Sequence, residues 1–322
     1  MQIDDILLLR MNRQYLFAPA EDELTVLRSL CGLQAQFYGN CLHALRLRCG
    51  KAPDEDILRT SAVKTWTLRG TLHLIALDDL PLFLYDGRSH FLRPCDTMSD
   101  DGRLSAARKR ELAAIILDAA QKGCGGREEL RLLCRGHGMT DDEEQSAFDP
   151  WGGLLRALCE SGTLCHTAQQ KKAFRPCPPF APMTKAAALR ALMRRYLTHY
   201  GPVTVQDAAY FFGLPQRELL PVIESLSPQE FICEGKIFYS LCDINIIGDL
   251  SCCRFLSGFD PLMLGYEKRS NPFLPEELLR GVFTLSGIIR PSILLDGKIV
   301  GVWKRRGKAV ELTWLIPLQS LQ

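Results

Sequence analysis

Hydrophobic and polar positions repeat the same order of predicted elements, three helices followed by a β-hairpin, in successive segments of the chain. In the first segment, helical periodicity covers residues near 3–16, 22–33 and 54–60, and the strands KTWTL and TLHLIA turn at Arg69-Gly70. In the second segment, KRELAAIILDAAQ, GREELRLLCRG and WGGLLRALCESG are the predicted helices. GTLCHT and KKAFRP form the second hairpin.

The third segment contains the strongest local signals. AAALRALMRRYLTHYG predicts a long helix with Gly201 as its C-cap, and Thr204 and Asp207 form a capping-box-like start for the next helix. PQRELLPVIESL follows as a third helix, and EFICEGKIFYSL predicts a hairpin that turns at Glu234-Gly235. Three helices and a hairpin are the plan of a winged helix, a helix-turn-helix module of DNA-binding proteins.

The chain changes character from about Ser251, where apolar and β-branched runs alternate with glycines. Asp296-Gly297 between two apolar runs is a hairpin signal, so we expect a small antiparallel unit that forms a partly closed barrel. The predicted fold class is therefore α+β, with three tandem winged-helix modules followed by a small C-terminal β-barrel-like domain. The predicted boundaries are 1–90, 91–180, 181–248 and 249–322.

Composition excludes several classes of protein. The 322 residues are 47% hydrophobic and 24% charged, as in ordinary globular proteins, and no apolar run approaches the roughly 18 residues of a membrane span. MQIDDILLLR places acids before its short apolar run, unlike a secretory signal. The 13 cysteines include no C-x-x-C pair, which favours reduced thiols over disulfides or zinc. We therefore expect a cytoplasmic protein without membrane contact, metal or cofactor.

Charge is unevenly distributed although the formal net charge is only +2. Residues 161–206 contain no Asp or Glu, and neither do residues 298–308. Such segregation fits either a solvated charged face or a surface that binds a polyanion such as DNA. The basic residues chosen as candidate DNA contacts from these two blocks are Lys171, Lys172, Arg194, Arg195, Lys304 and Arg305.

The stretch GLQAQFYGN places Gln34 and Gln36 one residue apart behind an amphipathic helix. Amides are costly to bury without partners, so this pair needs an explanation. The first explanation is that both amides cap the helix or face water. The second is that they form a functional site.

The functional explanation gains support from a resemblance that covers nearly the whole chain in the right order. The motifs are GLQAQ at 32–36, TWTLRGTLHLI at 65–75, RYLTHYGPVTVQDAAYFFGL at 195–214, FDPLMLGYEKRS at 259–270 and GIIRPSILLDGKIVGVWKR at 287–305. They resemble the AlkZ-like winged-helix DNA glycosylases, which include enzymes that unhook interstrand cross-links and act on N7-alkylguanine. The resemblance implies three winged helices and a barrel-like domain around a basic DNA-binding surface. The region from Phe91 to Asp149 follows the family less closely.

The family's catalytic pattern is Gln-x-Gln in one branch and Gln-x-Asp in another, and Gln34 with Gln36 fits the first. A glutamine can orient a water and stabilise developing charge, but it has no useful pKa and cannot act as a true general base. Such a pair suits a guanine that is already cationic through N7 alkylation and leaves readily. The resemblance thus implies a monofunctional glycosylase that acts as a monomer on duplex DNA with alkylated guanine, and both monoadducts and cross-links fit. The alternative is a non-catalytic winged-helix regulator.

Other residues allow two explanations each. Taken alone, His73 is a surface histidine or one satisfied by hydrogen bonds, but beside the family motif we expect it near the lesion. Arg69 at the hairpin turn either contacts phosphate or is solvated. Asp260 and Arg269 are expected to form a structural ion pair, with the DNA groove as the alternative place for them, and Lys268 completes the candidate DNA contacts.

Overall fold

The computed structural model describes residues 1–88, 92–169, 173–242 and 248–317, which combine helices with antiparallel sheets. By its internal contacts the chain divides into two compact units. The first unit consists of Met1–Asp54 and Leu189–Gln322, and the second is the inserted segment Glu55–Ala188. No helix within the described ranges is long and apolar enough to cross a membrane.

The elements follow in chain order. Up to the end of the second unit's hairpins they are α1 (Ile3–Arg13), α2 (Glu23–Ser29), β1 (Leu33–Gln34), α3 (Tyr38–Cys49), α4 (Glu55–Ser61), β2 (Ala62–Trp66), β3 (Leu72–Ala76), α5 (Leu80–Phe83), α6 (Ala106–Gln121), α7 (Arg127–Gly136), α8 (Asp141–Ala147), α9 (Leu154–Glu160), β4 (Leu164–His166) and β5 (Phe174–Pro176). The remainder are α10 (Lys185–His199), α11 (Val205–Phe212), α12 (Gln216–Glu224), β6 (Gln229–Cys233), β7 (Lys236–Ser240), β8 (Cys253–Leu256), α13 (Pro261–Leu264), α14 (Leu279–Val282), β9 (Ser292–Leu295), β10 (Lys298–Arg306) and β11 (Ala309–Trp314).

All four predicted hairpins are present. Strand β2 pairs with β3, β4 with β5, β6 with β7, and β9 with β10, each in antiparallel register. The capping box that starts α11 is also confirmed, because the Thr204 side chain accepts the Asp207 N–H at 3.1 Å and Asp207 accepts the Thr204 N–H at 3.0 Å. Local turn and cap chemistry therefore predicted these elements correctly.

Among the described residues, five helices, α3, α5, α8, α13 and α14, were not predicted, and one cap was predicted wrongly. Polar residues and an early glycine obscure the periodicity of α3, although Gly50 ends it in the left-handed conformation at φ 68°. Helix α8 begins with its own capping box at Thr140 and Glu143. Gly201 is not a left-handed C-cap, since α10 already ends at His199. Glycine is needed there because a Cβ would lie 2.3 Å from the Leu197 carbonyl oxygen.

Within the described part of the first unit, two ion pairs are buried. Arg10 of α1 lies 3.3 Å from Asp207 of α11 and donates through Nε to the Pro202 carbonyl at 2.8 Å. Its guanidinium also stacks on the ring of Tyr266, with 3.8 Å from Cζ to the ring centroid. The second pair joins Arg48 of α3 to Asp260 at the start of α13. These pairs fix α1 and α3 against segments more than 190 residues away.

The C-terminal strands form an open sheet in the order β11-β10-β9-β8. Strand β10 pairs with both β9 and β11, and β8 pairs only with β9 among the described residues. The expected antiparallel unit is thus confirmed, while its closure into a barrel is not seen in the described part of the chain. The four predicted module boundaries stay a prediction.

The second unit packs helices α6 to α9 against strands ordered β3-β2-β4-β5. Its core contains Leu112, Ile116, Leu130 and Leu155, all fully buried. Asp96 accepts the Gly153 N–H at 2.8 Å and pairs with two arginines, Arg93 at 3.0 Å and Arg156 at 3.7 Å. The region between Phe91 and Asp149 is therefore anchored by charged groups as well as by apolar packing.

Candidate functional site

The two candidate glutamines lie on the short connection between α2 and α3. Cys31 and Gly32 adopt positive φ angles of 55° and 79°, which turn the chain sharply after α2. Gln34 then ends strand β1, and Gln36 lies one residue before Phe37, the N-cap of α3. The sequence therefore places both amides on a connection held at each end by regular structure.

The Gln34 side chain is largely buried, since the residue is only 9% exposed. Neither amide forms a side-chain hydrogen bond to any residue within the described ranges. Gln36 is half-buried, so the pair lies at the border between the protein interior and solvent. The fold does not use these amides for its own hydrogen bonds, so they are available to a water or a ligand.

Helix α3 begins beside this pair without a capping side chain and with no acidic residue in its first turn. A Cβ added at Gly39 would meet no atom within 4 Å, so the first turn faces open space. The free N–H groups of a helix N-terminus carry about half a positive charge and favour anions or the oxygen of a water. The electrostatics next to Gln36 therefore suit a polarised water or a phosphate.

Phe37 is an exposed aromatic residue adjacent to Gln36, with 46% of its surface accessible. Its ring stacks on Phe259 with centroids 5.7 Å apart and planes 19° apart. Phe259 adopts φ 58°, which is uncommon for a bulky residue and has to be imposed by its surroundings. At Gly258 the backbone passes so close to Asn40 that a Cβ would lie 2.5 Å from the amide nitrogen.

Asp260, the next residue in the chain, is held by a fully buried network. Its oxygens accept Arg48 Nη1 at 3.1 Å and Nη2 at 2.7 Å, the Leu262 N–H at 3.0 Å and the Ser257 hydroxyl at 3.1 Å. Burial alone would raise the pKa of Asp260, but Arg48 and the hydrogen-bond donors outweigh it and lower the pKa below its ordinary value. The predicted ion pair between Asp260 and Arg269 is wrong, because Arg48 occupies both carboxylate oxygens.

Two candidates belong to the β2–β3 hairpin of the second unit. Arg69 lies in its turn at φ 55°, and His73 is a buried residue of β3 that pairs with Thr65 of β2. The His73 Nδ1 lies 3.0 Å from the Thr71 carbonyl oxygen, so that nitrogen carries the proton and donates. The backbone of the hairpin thus fixes the orientation of the His73 ring.

The remaining candidates are basic residues that differ in their exposure and in their ion pairs. On α10, Arg194 is exposed, whereas Arg195 is half-buried and donates to the Arg28 carbonyl at 3.4 Å. On β10, Lys304 pairs with Glu311 at 2.7 Å while Arg305 stays exposed. The block at 298–308 is acid-free in sequence, but β11 brings a carboxylate opposite it.

Four further candidates can be placed only in part. Lys268 is half-buried and Arg269 is exposed, and the Arg269 N–H donates to Glu267 Oε2 at 2.9 Å. Lys171 and Lys172 lie outside the described residues. The described ranges contain no group of three or more His, Cys, Asp or Glu side chains that could hold a metal ion.

The chain is similar to a family of known proteins. The model of the DNA glycosylase AlkZ-like family matches residues 27–319. The chain belongs to the AlkZ-like family. Among AlkZ-like proteins, the interstrand DNA cross-link repair glycosylase of Streptomyces sahachiroi is 27% identical over 324 residues, covering 92% of this chain and 85% of its own. The solved structure of the Streptomyces sahachiroi DNA glycosylase AlkZ is 22% identical and has a TM-score of 0.76, covering 100% of this chain and 94% of that one. This likeness establishes the shared fold.

The residues that support the connection with Gln34 and Gln36 were not predicted from the sequence. Arg48 and Phe259 have no local signal, because their partners Asp260 and Phe37 are more than 200 residues away. The helix that carries Arg48 could have been found from Cys41, Ala44, Leu45 and Cys49 at helical spacing before Gly50. Glu311 lies only three residues beyond the basic block, so a hairpin register would have revealed its pairing with Lys304.

Proposed function

We propose that this AlkZ-like protein is a monofunctional DNA glycosylase that hydrolyses the N-glycosidic bond of N7-alkylated guanine in duplex DNA. Interstrand cross-links joined through N7 are included among its substrates, and it acts as a cytoplasmic monomer without a cofactor. The observation that supports the proposal most is Gln34, largely buried with an amide that bonds to no described residue. The S. sahachiroi relative is named as a cross-link repair glycosylase, which agrees with this substrate class.

The proposed chemistry follows from what two amides can do. N7 alkylation puts positive charge on the guanine, so the base leaves as a neutral molecule and the deoxyribose gains oxocarbenium character. The Gln34 and Gln36 carbonyl oxygens accept hydrogen bonds from the attacking water and lie near the developing positive charge. The water adds to the anomeric carbon, the C–N bond breaks, and the water's excess proton passes to solvent.

The proposed binding surface for duplex DNA combines residues from several parts of the chain. Phosphate contacts are assigned to Arg69, Lys171, Lys172, Arg194, Arg195, Lys268, Arg269, Lys304 and Arg305, and His73 is placed near the lesion. Three winged-helix modules at 1–90, 91–180 and 181–248 and a barrel-like domain at 249–322 are the proposed scaffold. Strands β8 to β11 form an open sheet, so the proposed barrel is only partly closed.

The alternative is a winged-helix regulator that binds DNA without chemistry. A regulator has no use for a largely buried glutamine whose amide bonds to no described residue, so Gln34 favours the enzyme. The decisive experiment is single-turnover excision from a duplex that carries one N7-methylguanine, with abasic sites revealed by alkali. A parallel substrate carries one nitrogen-mustard cross-link.

Wild-type protein should excise both lesions, and Gln34→Ala and Gln36→Ala should each lower the rate about 10²–10³-fold. Their melting temperatures and DNA affinities should stay near the wild-type values, because neither amide supports the fold. Gln121→Ala, an exposed glutamine at the end of α6, is the matched control and should keep full activity. Wild-type protein that binds duplex DNA tightly but releases no base would favour the regulator.

A further inference from the structure

Strands β6 and β7 form a two-stranded antiparallel sheet in the first unit, and one face of this sheet is fixed to the protein. Cys233 and Phe238 are buried on that face in a cluster with Ile6 of α1, and Phe231 packs against the cluster. Every residue of β6 pairs with β7 in regular register, so no bulge twists the strand away from a further partner. The sheet is therefore held on a fixed base while β6 stays straight.

The opposite face of the sheet exposes two isoleucines that pair directly across the strands. Ile232 of β6 is 73% exposed, and Ile237 of β7, its cross-strand neighbour, is 48% exposed. Single apolar residues are ordinary on a protein surface, but these two form one patch on a strand at the margin of a sheet. A flat, apolar strand in that position is a template for pairing with another chain. Whether it can pair depends on the direction of its main-chain groups.

The hydrogen bonds of β7 determine the direction of the main-chain groups of β6. Tyr239 of β7 donates its N–H to the Val203 carbonyl at 2.7 Å and accepts the Val203 N–H at 3.0 Å. Both Tyr239 groups therefore point away from β6, so Tyr239 and its cross-strand neighbour Glu230 form a non-hydrogen-bonded pair. Glu230, and Ile232 two residues further, thus direct their N–H and C=O groups away from β7, where they bond to no described residue. Strand β6 has an open edge with Ile232 on it.

Negative charge predominates beside this edge. The hairpin at 229–240 carries the exposed acids Glu230 and Glu234 against the exposed Lys236. Burial raises the pKa of Tyr239, and the carboxylates of Glu230 and of Glu224 at the end of α12 raise it further, so both acids act on this face of the sheet. Such a surface disfavours DNA and anionic lipid and favours a basic segment.

We propose that the β6 edge binds an extended segment of a basic partner protein, which adds a third strand to the sheet. The outward main-chain groups of Glu230 and Ile232 bond to that strand. On the exposed face a lysine or arginine lies opposite Glu230 and a β-branched apolar residue lies opposite Ile232, because cross-strand neighbours of these kinds stabilise a sheet. The two partner residues are separated by one position, since side chains on one face of a strand recur at every second residue. This binding is independent of the proposed glycosylase chemistry.

The probe is a fluorescein-labelled peptide with two repeats of Lys-Thr-Val-Thr, in which lysine and valine alternate on one face of the extended chain. Fluorescence anisotropy measures its affinity for the full-length protein. N-methylation of the valines should abolish binding, because it removes the main-chain donors that face β6. Replacing the lysines by glutamates should weaken binding about tenfold through repulsion from Glu230. Hydrogen exchange of the Glu230 and Ile232 N–H groups should slow when the lysine peptide binds.

Two variants of the edge complete the test. Ile232→Lys and Glu230→Lys should each weaken binding of the lysine peptide about tenfold, because both place a positive charge opposite the basic strand. Their melting temperatures should stay near the wild-type value, since both side chains are exposed. Glu230→Lys should also bind the glutamate peptide more tightly than the wild-type protein does. Leu132→Lys, at an exposed leucine on α7, is the matched control and should leave the affinity unchanged.

Three results would overturn the proposal. The first is a wild-type protein that does not bind the lysine peptide, and the second is equal affinity of the wild-type protein and Ile232→Lys. The third is self-association of the wild-type protein, measured by sedimentation, with slow exchange of the Glu230 and Ile232 N–H groups before any peptide is added. That result would assign the β6 edge to a second copy of the chain.

Discussion

Replacing Asp260 by asparagine tests whether the buried ion pair with Arg48 holds the connection that carries the glutamines. Both side chains are fully buried, and the carboxylate receives two bonds from the guanidinium, at 2.7 and 3.1 Å. Asparagine has nearly the same volume and keeps one carbonyl oxygen for the Leu262 N–H. The substitution therefore removes the charge and one acceptor while leaving the packing intact.

Loss of one partner of a buried ion pair usually costs about 3–5 kcal/mol, because the other charge stays buried without compensation. Two observations indicate that the loss of the Asp260 charge has a cost in this range. Arg48 Nε already has no hydrogen-bond partner among the described residues, and its Nη1 has only the Ala44 carbonyl, at 3.3 Å, besides the carboxylate. The guanidinium therefore has little to replace the lost carboxylate, and the free energy of unfolding should fall by about 3–5 kcal/mol.

The loss should depend on pH in a defined way. The pKa of Asp260 is lower in the folded protein than its ordinary value of 3.8, so ionisation of this group stabilises the fold above that pH. This contribution is lost as the pH falls through the folded-state pKa. The difference in unfolding free energy between wild type and Asp260→Asn should stay constant from about pH 7 to pH 5 and narrow below about 3.8.

The assay is urea unfolding followed by far-UV circular dichroism at each pH. Glu311→Gln is the control, because its carboxylate pairs with Lys304 at a half-exposed site and should contribute about 0–1 kcal/mol. Asp260→Asn should also slow excision, since a freed Phe259 no longer holds Phe37. A loss of stability below about 1 kcal/mol at pH 7 would refute the argument that this pair fixes the segment.

The remaining predictions concern DNA contacts. Glu311→Gln should tighten duplex binding and steepen the dependence of the binding constant on salt. The reason is that it releases Lys304 and Arg306 from a shared carboxylate. An unchanged salt slope would exclude the β10–β11 hairpin from the DNA interface. Phe37→Ala should slow excision by about tenfold at an unchanged melting temperature, as for a lost stacking contact worth about 1–3 kcal/mol. Phe37→Tyr should retain the rate, and equal loss in both variants would exclude stacking.

The fold was predictable wherever a few neighbouring residues determine an element. The Glu234-Gly235 and Asp296-Gly297 turns fixed two hairpins, since both pairs adopt the positive φ angles that tight turns require. Helix α3 was missed because Gly39, Asn40 and the buried Arg48 interrupt the apolar spacing of the helix. A buried arginine is stable only with a partner, and that partner lies 212 residues away in the chain.

In the candidate site, too, the features formed by neighbouring residues were predictable, and the contacts between residues far apart in the chain were not. The spacing of Gln34 and Gln36 is visible in the sequence, and so is the adjacent Phe37. The backing ring of Phe259 is not visible, because it lies more than 200 residues beyond Phe37 in the chain. The neutralisation of Lys304 likewise follows from strand register, which places Glu311 directly opposite.

The electrostatics around the glutamines also bear on which lesions the proposed enzyme accepts. The first turn of α3 contributes no carboxylate, and its N-terminus is partially positive, so this helix end does not attract a cationic base. Neither amide can protonate a leaving group, because glutamine does not titrate. A neutral purine would need that proton to leave. An N7-alkylated guanine needs none, because it already carries the positive charge and leaves as a neutral base. Because neither glutamine can donate a proton to the leaving base, the proposed site would select alkylated guanine over neutral purines.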